Sequence, residues 1–385
     1  MTTQDTTQTV LFPEIFSKPV LASFDQPDCS SDGGAILLKP IDDELSLTER
    51  LANCLWDRRQ AGKVLHSSVD LLRQRVFGIA AGYADCNDST ALANDPVQKL
   101  LLDRDPIAGP SLGSQPTLSR FENAPSSQEL YIMADELADV VIERHHKRLG
   151  GKARRITIDM DPTEDPTHGA QQLTFFNGHY GGFCYLPMVG TLQFNEEQEN
   201  YLFTIVLRPG NAHSSHGAIG ILERVIAKLR VAFPKTQIRV RLDGGFSTPA
   251  VLDYLEQERV EYLVGFARNP ALEARVEPLM RAVRALSAVS GKTETLFTDI
   301  QYQTKSWSKP RRLIVKAEVV RFPGRPARDN DRYVETNLTL KPERVYKIYR
   351  GRGDMENRIK ELHHDLEVDR TSCTDFKANQ FRVLL

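Results

Sequence analysis

The sequence predicts an α/β protein in which a helical region is followed by a domain built on a mixed β-sheet. Apolar residues recur at helical spacing between Ser46 and Arg148, for example from Leu130 to Val141. From Ala153 onward the pattern changes to short strand-like runs, which first follow one another and then alternate with helices. This order of elements is typical of a mixed sheet, because strands that are separated by helices can pair in parallel.

We divide the chain where this periodicity changes. In the first segment, the apolar run Ala35–Leu38 is predicted to be a short strand. The last residues, Phe381–Leu385, form an apolar run without a helix-stop signal, so we expect the C-terminal segment to be truncated. The predicted segments are an N-terminal arm (1–44), a helical region (45–150), the first part of the sheet domain (151–269), a β-rich insertion (270–345) and a C-terminal helical segment (346–385).

The composition is that of a soluble globular protein large enough for two or three domains. The 385 residues carry a net charge of −2, with 41% hydrophobic and 26% charged residues, so the overall charge indicates no polyanionic partner. A local excess of basic residues between Lys305 and Arg328 can neutralise phosphates, although such a run is equally often a solvated face. Five scattered cysteines and the lack of long apolar runs predict a cytoplasmic protein without disulfides, zinc-binding cysteines or a membrane span.

Acidic residues lie at the ends of two predicted strands. In the strand that begins at Arg155, alternation places Asp159 and Asp161 on the face opposite to the apolar residues. The strand Gln237–Leu242 is followed by Asp243 and then by two glycines, which let backbone or ligand approach closely. Open α/β sheets bind ligands at the carboxyl ends of their strands, so these aspartates are candidate site residues. The alternative for each is an aspartate that only caps a turn.

A third carboxylate, Glu356, lies on a predicted helix near the C-terminus. Residues three, four and seven apart share one face of a helix, and Glu356 shares its face with aromatic and basic residues. The simplest alternative is a surface ion pair between Arg352 and Glu356, which stabilises a helix by only about 0.3–0.5 kcal/mol. The predicted polar face holds Tyr349, Arg352, Glu356, Lys360 and His363.

The three carboxylates predict a site for divalent metal ions. Converging carboxylates repel one another unless cations lie between them, and oxygen-only ligand sets suit Mg²⁺ or Mn²⁺ rather than zinc. Two such ions can activate an attacking oxygen and stabilise a leaving oxygen in phosphodiester chemistry. The histidine pairs His145–His146 and His213–His216 are weaker candidates. The sequence shows no motif for acyl transfer, nucleotide hydrolysis or dinucleotide binding.

The order Asp, Asp and then Tyr349, Arg352 and Glu356 resembles the bacterial insertion-sequence transposases of the DDE class. The sequence is most similar to the insertion-sequence group numbered thirteen-eighty, and the similarity covers nearly the whole chain. Other segments that carry it are Gly82–Asp88, Asp95–Leu101, Ser114–Asn123, His168–Gln171 and Leu207–Asn211. The resemblance implies an RNase H-like catalytic core, double-stranded DNA as the substrate, Mg²⁺ as the cofactor with Mn²⁺ as a substitute, and a homodimer on DNA.

The resemblance also implies roles for the acidic residues. Asp161, Asp243 and Glu356 would be the catalytic metal ligands, with Asp159 as the alternative first ligand. The implied activity is hydrolysis of a phosphodiester bond at each transposon end, followed by attack of the freed 3′-hydroxyl on target DNA. The alternatives are a metal-dependent nuclease without strand transfer and an inactive, truncated DNA-binding remnant.

Further DNA contacts are implied outside the carboxylates. Tyr349 and Arg352 would bind the DNA backbone near the cut, and Lys360 lies on the same helix face. His363 stands where the family has a lysine, which weakens the expected phosphate contact at neutral pH.

Two more residues are candidates for DNA contact in other parts of the chain. Trp307 of the insertion is predicted either to stack on a base of the transposon end or to be a buried core residue. The helical region would recognise the terminal repeats. Arg120 lies there in a helix start that fits either the recognition helix of a helix-turn-helix or an ordinary capped helix.

Overall fold

The structure, a computed structural model of the chain, describes residues 9–11, 20–22 and 28–385, so part of the predicted N-terminal arm lies outside the described residues. The chain folds into two units. The first holds the described residues up to Thr48 together with Arg58–Phe121, and the second holds Glu49–Asp57 and Glu122–Leu385. The last helix of the predicted helical region, which ends near residue 150, therefore belongs to the second unit.

The first unit is built mainly from short helices. The elements before residue 123 are two paired strands, β1 (Thr9–Leu11) and β2 (Val20–Ala22), and the helices α1 (Leu38–Leu45), α2 (Leu47–Asn53), α3 (Ser68–Ala80), α4 (Ser89–Leu92), α5 (Pro96–Leu101) and α6 (Gln115–Glu122). Helix α3 begins with a capping box formed by Ser67 and Asp70. Phe77 of α3 and Leu101 of α5 are buried together in a small core.

The predicted strand Ala35–Leu38 is wrong. Gly33–Leu37 forms a 3₁₀-helix that continues directly into α1. Ala35 is buried, whereas Ile36 and Leu37 are exposed. The apolar run thus supplies one inward-facing residue per turn, which is a helical pattern and not the alternation of a strand.

The second unit contains the predicted sheet domain. Its elements are α7 (Ser127–Leu149), β3 (Arg155–Pro162), β4 (Asp165–Pro166), β5 (Phe175–Asn177), β6 (Gly182–Tyr185), β7 (Met188–Phe194), β8 (Tyr201–Val206), α8 (Ala218–Ala232), β9 (Gln237–Leu242), α9 (Pro249–Gln257), β10 (Glu261–Phe266), α10 (Pro270–Ser290), β11 (Glu294–Tyr302), β12 (Arg311–Val320), β13 (Arg328–Asp329), β14 (Arg332–Thr336), α11 (Pro342–Arg350), α12 (Gly353–Leu366) and α13 (Phe376–Leu384). Among the helices of the described residues, none combines the length and the apolar character that crossing a membrane requires.

The main sheet is mixed, as the sequence predicts. Eight strands lie in the order β11-β12-β14-β10-β9-β3-β7-β8, and β13 pairs with β12. Strands β3, β9 and β10 run parallel to one another, whereas β7 is antiparallel to β3 and β8 is antiparallel to β7. A separate three-stranded sheet has the order β4-β6-β5. The prediction of a mixed α/β sheet is therefore confirmed.

One face of the main sheet carries the hydrophobic core. Ile158 of β3 and Val240 of β9 are fully buried there with Leu222 of α8 and Leu252 of α9. Alternation therefore sends the polar residues of these strands to the other face. On that other side, Met355 of α12 is buried and its sulfur accepts a hydrogen bond from Thr191 of β7 at 3.3 Å.

The insertion predicted between residues 270 and 345 extends the same sheet. Strand β14 pairs antiparallel with β10, and β12 and β11 continue outward from it. The insertion also contains a helix of 21 residues, α10, which we did not predict. This helix buries Leu272, Val276 and Met280 against the insertion strands. Its interior Pro278 lacks a backbone N–H, a feature that weakens the helical signal of the sequence.

A buried histidine joins α7 to the sheet. The His145 ring stacks on Phe194 of β7 with ring centroids 4.2 Å apart, and its Nδ1 accepts a hydrogen bond from Arg148 Nε at 3.1 Å. Its Nε2 has no hydrogen-bond partner among the described residues. Burial, reinforced by the Arg148 guanidinium, lowers the pKa of His145 to about 4. The ring is therefore neutral in the folded protein at neutral pH.

We predict that His145 makes folding weaker as the pH falls from about 6.5 to about 4, because the unfolded chain then takes up a proton that the folded chain does not. This residue alone should lower the free energy of unfolding by up to about 1.4 kcal/mol per pH unit. Urea titrations at several pH values measure the effect. The pH dependence should be flatter in His145→Gln but unchanged in His146→Gln, an exposed control on the same helix. Equal slopes in all three proteins would contradict this prediction.

Candidate active site

Two aspartates lie side by side at the carboxyl ends of the central parallel strands. Strands β3 and β9 pair in register, and their last pair is Met160 opposite Leu242. Asp161 is the next residue of β3, and Asp243 directly follows β9 with an extended backbone, so their side chains leave the sheet on the face opposite to the core. Adjacent strands are about 4.8 Å apart, which brings the two carboxylates into neighbouring positions.

Asp159, the alternative first ligand, is engaged in a buried ion pair. Its carboxylate accepts hydrogen bonds from Arg241 Nε at 2.8 Å and from Arg241 Nη2 at 2.6 Å. Arg241 also donates to the Ile348 carbonyl, so the end of α11 covers the pair. Burial raises the pKa of Asp159, and the Arg241 guanidinium opposes that rise. Both carboxylate oxygens are occupied, which favours Asp161 as the aspartate that is available at the strand end.

An arginine between α11 and α12 connects the aspartates to the helical carboxylate. Arg352 Nη1 donates to Asp161 Oδ2 at 2.8 Å, and Arg352 Nη2 lies 3.7 Å from Glu356 Oε1. The Glu356 side chain is 61% exposed. Arg352 therefore neutralises part of the negative charge that Asp161 and Glu356 bring to this edge of the sheet.

The predicted polar face does not run along one continuous helix. Tyr349 lies in the last turn of α11, and α12 begins only at Gly353. Gly351 packs so closely against the Arg241 guanidinium that a Cβ atom there would overlap with it. The Tyr349 hydroxyl lies against Gly265 of β10, where an added Cβ would approach it to 2.5 Å. Because Gly351 and Gly265 have no side chains, the turn between α11 and α12 packs directly on strands β9 and β10.

The three carboxylates interact electrostatically but do not form a closed ligand set. Burial raises the pKa of Asp161 to about 6; Arg352 opposes this rise, while Asp243 and Glu356 add to it. Within residues 9–11, 20–22 and 28–385, no three His, Cys, Asp or Glu side chains are arranged to hold a metal ion. The expected three-carboxylate cage is therefore not assembled in this structure. The candidate donors are nevertheless all carboxylate oxygens, the type that Mg²⁺ and Mn²⁺ prefer.

The other predicted residues of α12 have different surroundings. Lys360 is exposed. His363 is held from two sides, with Nε2 2.9 Å from Thr163 Oγ1 and Nδ1 3.0 Å from Asp369 Oδ2. The histidine thereby ties α12 to the segment that follows Asp161. In the first unit, Arg120 is exposed on α6.

Trp307 is buried, which contradicts its expected role as an aromatic ring that stacks on a DNA base. Its exposed fraction is 5%. The ring packs edge-on against Phe266 and Tyr302, at centroid distances of 5.5 and 6.1 Å, and lies under the Arg311 guanidinium. The alternative of a core tryptophan is the one that the structure shows.

A buried arginine that holds the loop packed against Gly245 was not among the predicted site residues. Arg208 donates hydrogen bonds to three main-chain carbonyls of the loop 213–216, and burial lowers its pKa to about 10. In that loop, Ser214 packs against Gly245, where an added Cβ would lie 2.5 Å from the serine hydroxyl. The sequence signal for this residue is an arginine directly before Pro209 and Gly210, a pair that is typical of a turn. This signal does not reveal which loop the arginine side chain binds.

Neutralising the two aspartates of β3 should affect stability in different ways. Asp159→Asn should lower the free energy of unfolding by about 3–5 kcal/mol, because it leaves the Arg241 charge buried and unpaired. Asp161→Asn should leave the free energy of unfolding unchanged or raise it near pH 8, since a carboxyl with a folded pKa of about 6 is ionised there against the cost of burial. Urea unfolding measures both variants. A loss in Asp161→Asn as large as that in Asp159→Asn would contradict this interpretation.

Comparison with known protein families places nearly the whole chain in one of them. The family model described as transposase DDE domain group 1 matches residues 12–385, a span that includes all three carboxylates. Comparison with curated proteins gave no match. Since the family model covers far more than half of the sequence, the chain belongs to the DDE transposase family, in the group 1 of transposase DDE domains.

Proposed function

We propose that the chain is the DNA transposase of a bacterial insertion sequence of the group numbered thirteen-eighty, with an RNase H-like catalytic core. Membership in the transposase DDE domain family supports transposition as the activity. The central strands support the core type. Five central strands lie side by side in the order β8-β7-β3-β9-β10. If they are numbered from one to five along the chain, this order is 3-2-1-4-5, and strands one, four and five are parallel.

The observation that carries the proposal is the adjacency of Asp161 and Asp243 at the ends of β3 and β9, with Arg352 beside them. We assign Asp161, Asp243 and Glu356 as the ligands of Mg²⁺, for which Mn²⁺ can substitute, because all three are carboxylates that raise the local negative charge. The chemistry that bound Mg²⁺ supplies is activation of the attacking oxygen and stabilisation of the leaving oxygen.

The proposed substrate is double-stranded DNA, cut at the transposon ends and joined to target DNA by the freed 3′-hydroxyl. Arg352 can offer bidentate donors to a phosphate beside Asp161, and Tyr349 lies next to it. Lys360 is exposed and can add a phosphate contact from α12. The proposed role of His363 is to position α12, since its ring is hydrogen-bonded to Thr163 in the segment after Asp161.

The helical unit completes the proposed DNA contacts. Arg120, exposed on α6, is proposed to help recognise the terminal repeats. Both transposon ends must be held together for joining, so we propose that the active form is a homodimer on DNA.

Neutralising the carboxylates should abolish metal-dependent DNA cleavage. We expect Asp161→Asn, Asp243→Asn and Glu356→Gln to slow Mg²⁺-dependent cleavage of a plasmid carrying the DNA that flanks the gene by about 10³-fold or more, or about 4 kcal/mol in the activation barrier. Asp365→Asn, on an exposed position of α12, is the matched control and should cleave as the wild type does. Cleavage that survives in Asp161→Asn but is lost in Asp159→Asn would overturn the ligand assignment.

A joining reaction separates a transposase from a nuclease. Pre-cleaved ends from the flanking DNA, each with a free 3′-hydroxyl, are incubated with the protein, Mg²⁺ and a target plasmid. A transposase gives joined product, and the product should disappear in Asp243→Asn. Cleavage without joined product would indicate a metal-dependent nuclease. Binding of DNA ends without any cleavage, unchanged in Asp243→Asn, would identify an inactive DNA-binding protein.

A further inference from the structure

An uncharged segment begins five residues after the first candidate ligand, Asp161, and follows Glu164 and Asp165. Between Pro166 and Asn195 the sequence contains no Asp, Glu, Lys or Arg, although these residues make up 26% of the chain. Strands β5 and β6 form a hairpin in this segment, with its tip at residues 178–181. Because surface hairpins normally carry charged side chains, this composition indicates a surface with a specific contact.

The hairpin exposes aromatic rings that a soluble protein usually buries. Phe176 and Phe183 are directly opposite each other in the strand pair, and they are 56% and 61% exposed. Their ring centroids are 5.7 Å apart in an edge-to-face arrangement. The neighbouring pair, Phe175 and Cys184, points to the other side, where Cys184 is fully buried and Phe175 is 40% exposed. The hairpin thus has one anchored face and one open aromatic face.

Contacts hold this hairpin next to the aspartates. Asn177 Nδ2 donates a hydrogen bond at 2.8 Å to the carbonyl of Gly210, in the loop that packs beside Asp243. At the tip, burial raises the pKa of Tyr180, and the charges of Asp161, Glu164 and Asp243 add to the rise. The bond from Asn177 thus places the hairpin near the candidate active site.

We propose that the open face of this hairpin, with Phe176 and Phe183, is a stacking surface for nucleobases that are unpaired next to the cut phosphodiester. Base–aromatic stacking requires flat apolar rings and no charge, and it accepts any base. Within the hairpin itself, the lack of basic side chains argues against a contact with the DNA backbone, and the nearest acidic side chain, Glu164, lies beside Gly182. The inference rests on the proposed function, which supplies DNA at Asp161 and Asp243.

A single-stranded oligonucleotide that contains the fluorescent base 2-aminopurine tests this surface without any need for cleavage. Stacking quenches the fluorescence, so the wild-type protein should quench it. The double variant F176S/F183S should quench little and bind at least about tenfold more weakly. The double variant F176L/F183L keeps an apolar surface but removes the rings, and it should lose the quenching as well. F322S is the matched control, because Phe322 is also 61% exposed and lies in the insertion; it should behave as the wild type does.

Three results would overturn the stacking surface. The first is equal quenching and affinity in the wild type and both double variants. The second is an equally large loss of affinity for fully paired duplex DNA, for which we expect a change of less than about twofold because paired bases hide their faces. The third is a change of oligomeric state in sedimentation velocity, which would show that copies of the chain meet at this patch.

Failure of the proposed function gives a different result. In that case the wild-type protein shows no metal-dependent cleavage, yet quenching still depends on Phe176 and Phe183. Such an outcome removes the transposase activity and leaves the stacking surface in place. Unchanged thermal unfolding of the double variants verifies that both proteins are folded.

Discussion

The register between β3 and β9 determines where the candidate active site lies. These strands pair residue for residue, so that Asp159 meets Arg241 and the next outward-facing positions are Asp161 and Asp243. A shift of one residue would turn an aspartate toward the apolar core. The bidentate bonds between Asp159 and Arg241 fit this alignment. The buried ion pair therefore fixes the position of the two aspartates beyond it, a specifying role that buried charge pairs have in other proteins.

The charges around Asp161 explain why its pKa is raised. The Arg352 guanidinium faces Asp161, while Asp243 and Glu356 bring further negative charge. The pKa of Asp161 consequently stays above its usual range in spite of the hydrogen bond from Arg352. Any cation that binds more strongly to the folded state than to the unfolded chain would stabilise this arrangement. Excess negative charge at a strand end thus costs stability until a cation is bound.

Local patterns in the sequence were sufficient for the central strands β3 and β9, although not for Ala35–Leu38, and they did not give the contacts between elements. Alternation predicted β9 with its observed bounds, and it placed Asp161 and Asp243 at strand ends, because a period of two is a local property. The pairing of Arg352 with Asp161 joins residues 191 positions apart, which no local pattern contains. Similarly, the sequence left open whether Trp307 stacks on a base or lies in the core, and the packing of Phe266 on its ring in the fold places it in the core.

The helix near the C-terminus shows the same limit. Helical spacing grouped Tyr349 with Glu356, and the structure separates them by a turn. That turn depends on the contact of Gly351 with the Arg241 side chain, which lies on a strand more than a hundred positions earlier. A glycine in a helical pattern is only weak grounds for predicting such a break.

Strand β10 is interior to the sheet because β14 of the insertion pairs with it along Leu263–Phe266. Without that neighbour, β10 would be an edge strand whose unpaired N–H and C=O groups could recruit another chain. The insertion is therefore not a removable module, and shortening it would require a substitute strand at this position. Movement of the insertion must also bend the sheet rather than turn on a linker. Mechanical load on the insertion would pass through the hydrogen bonds between β14 and β10 to Gly265, and from there to Tyr349, whose hydroxyl lies against Gly265.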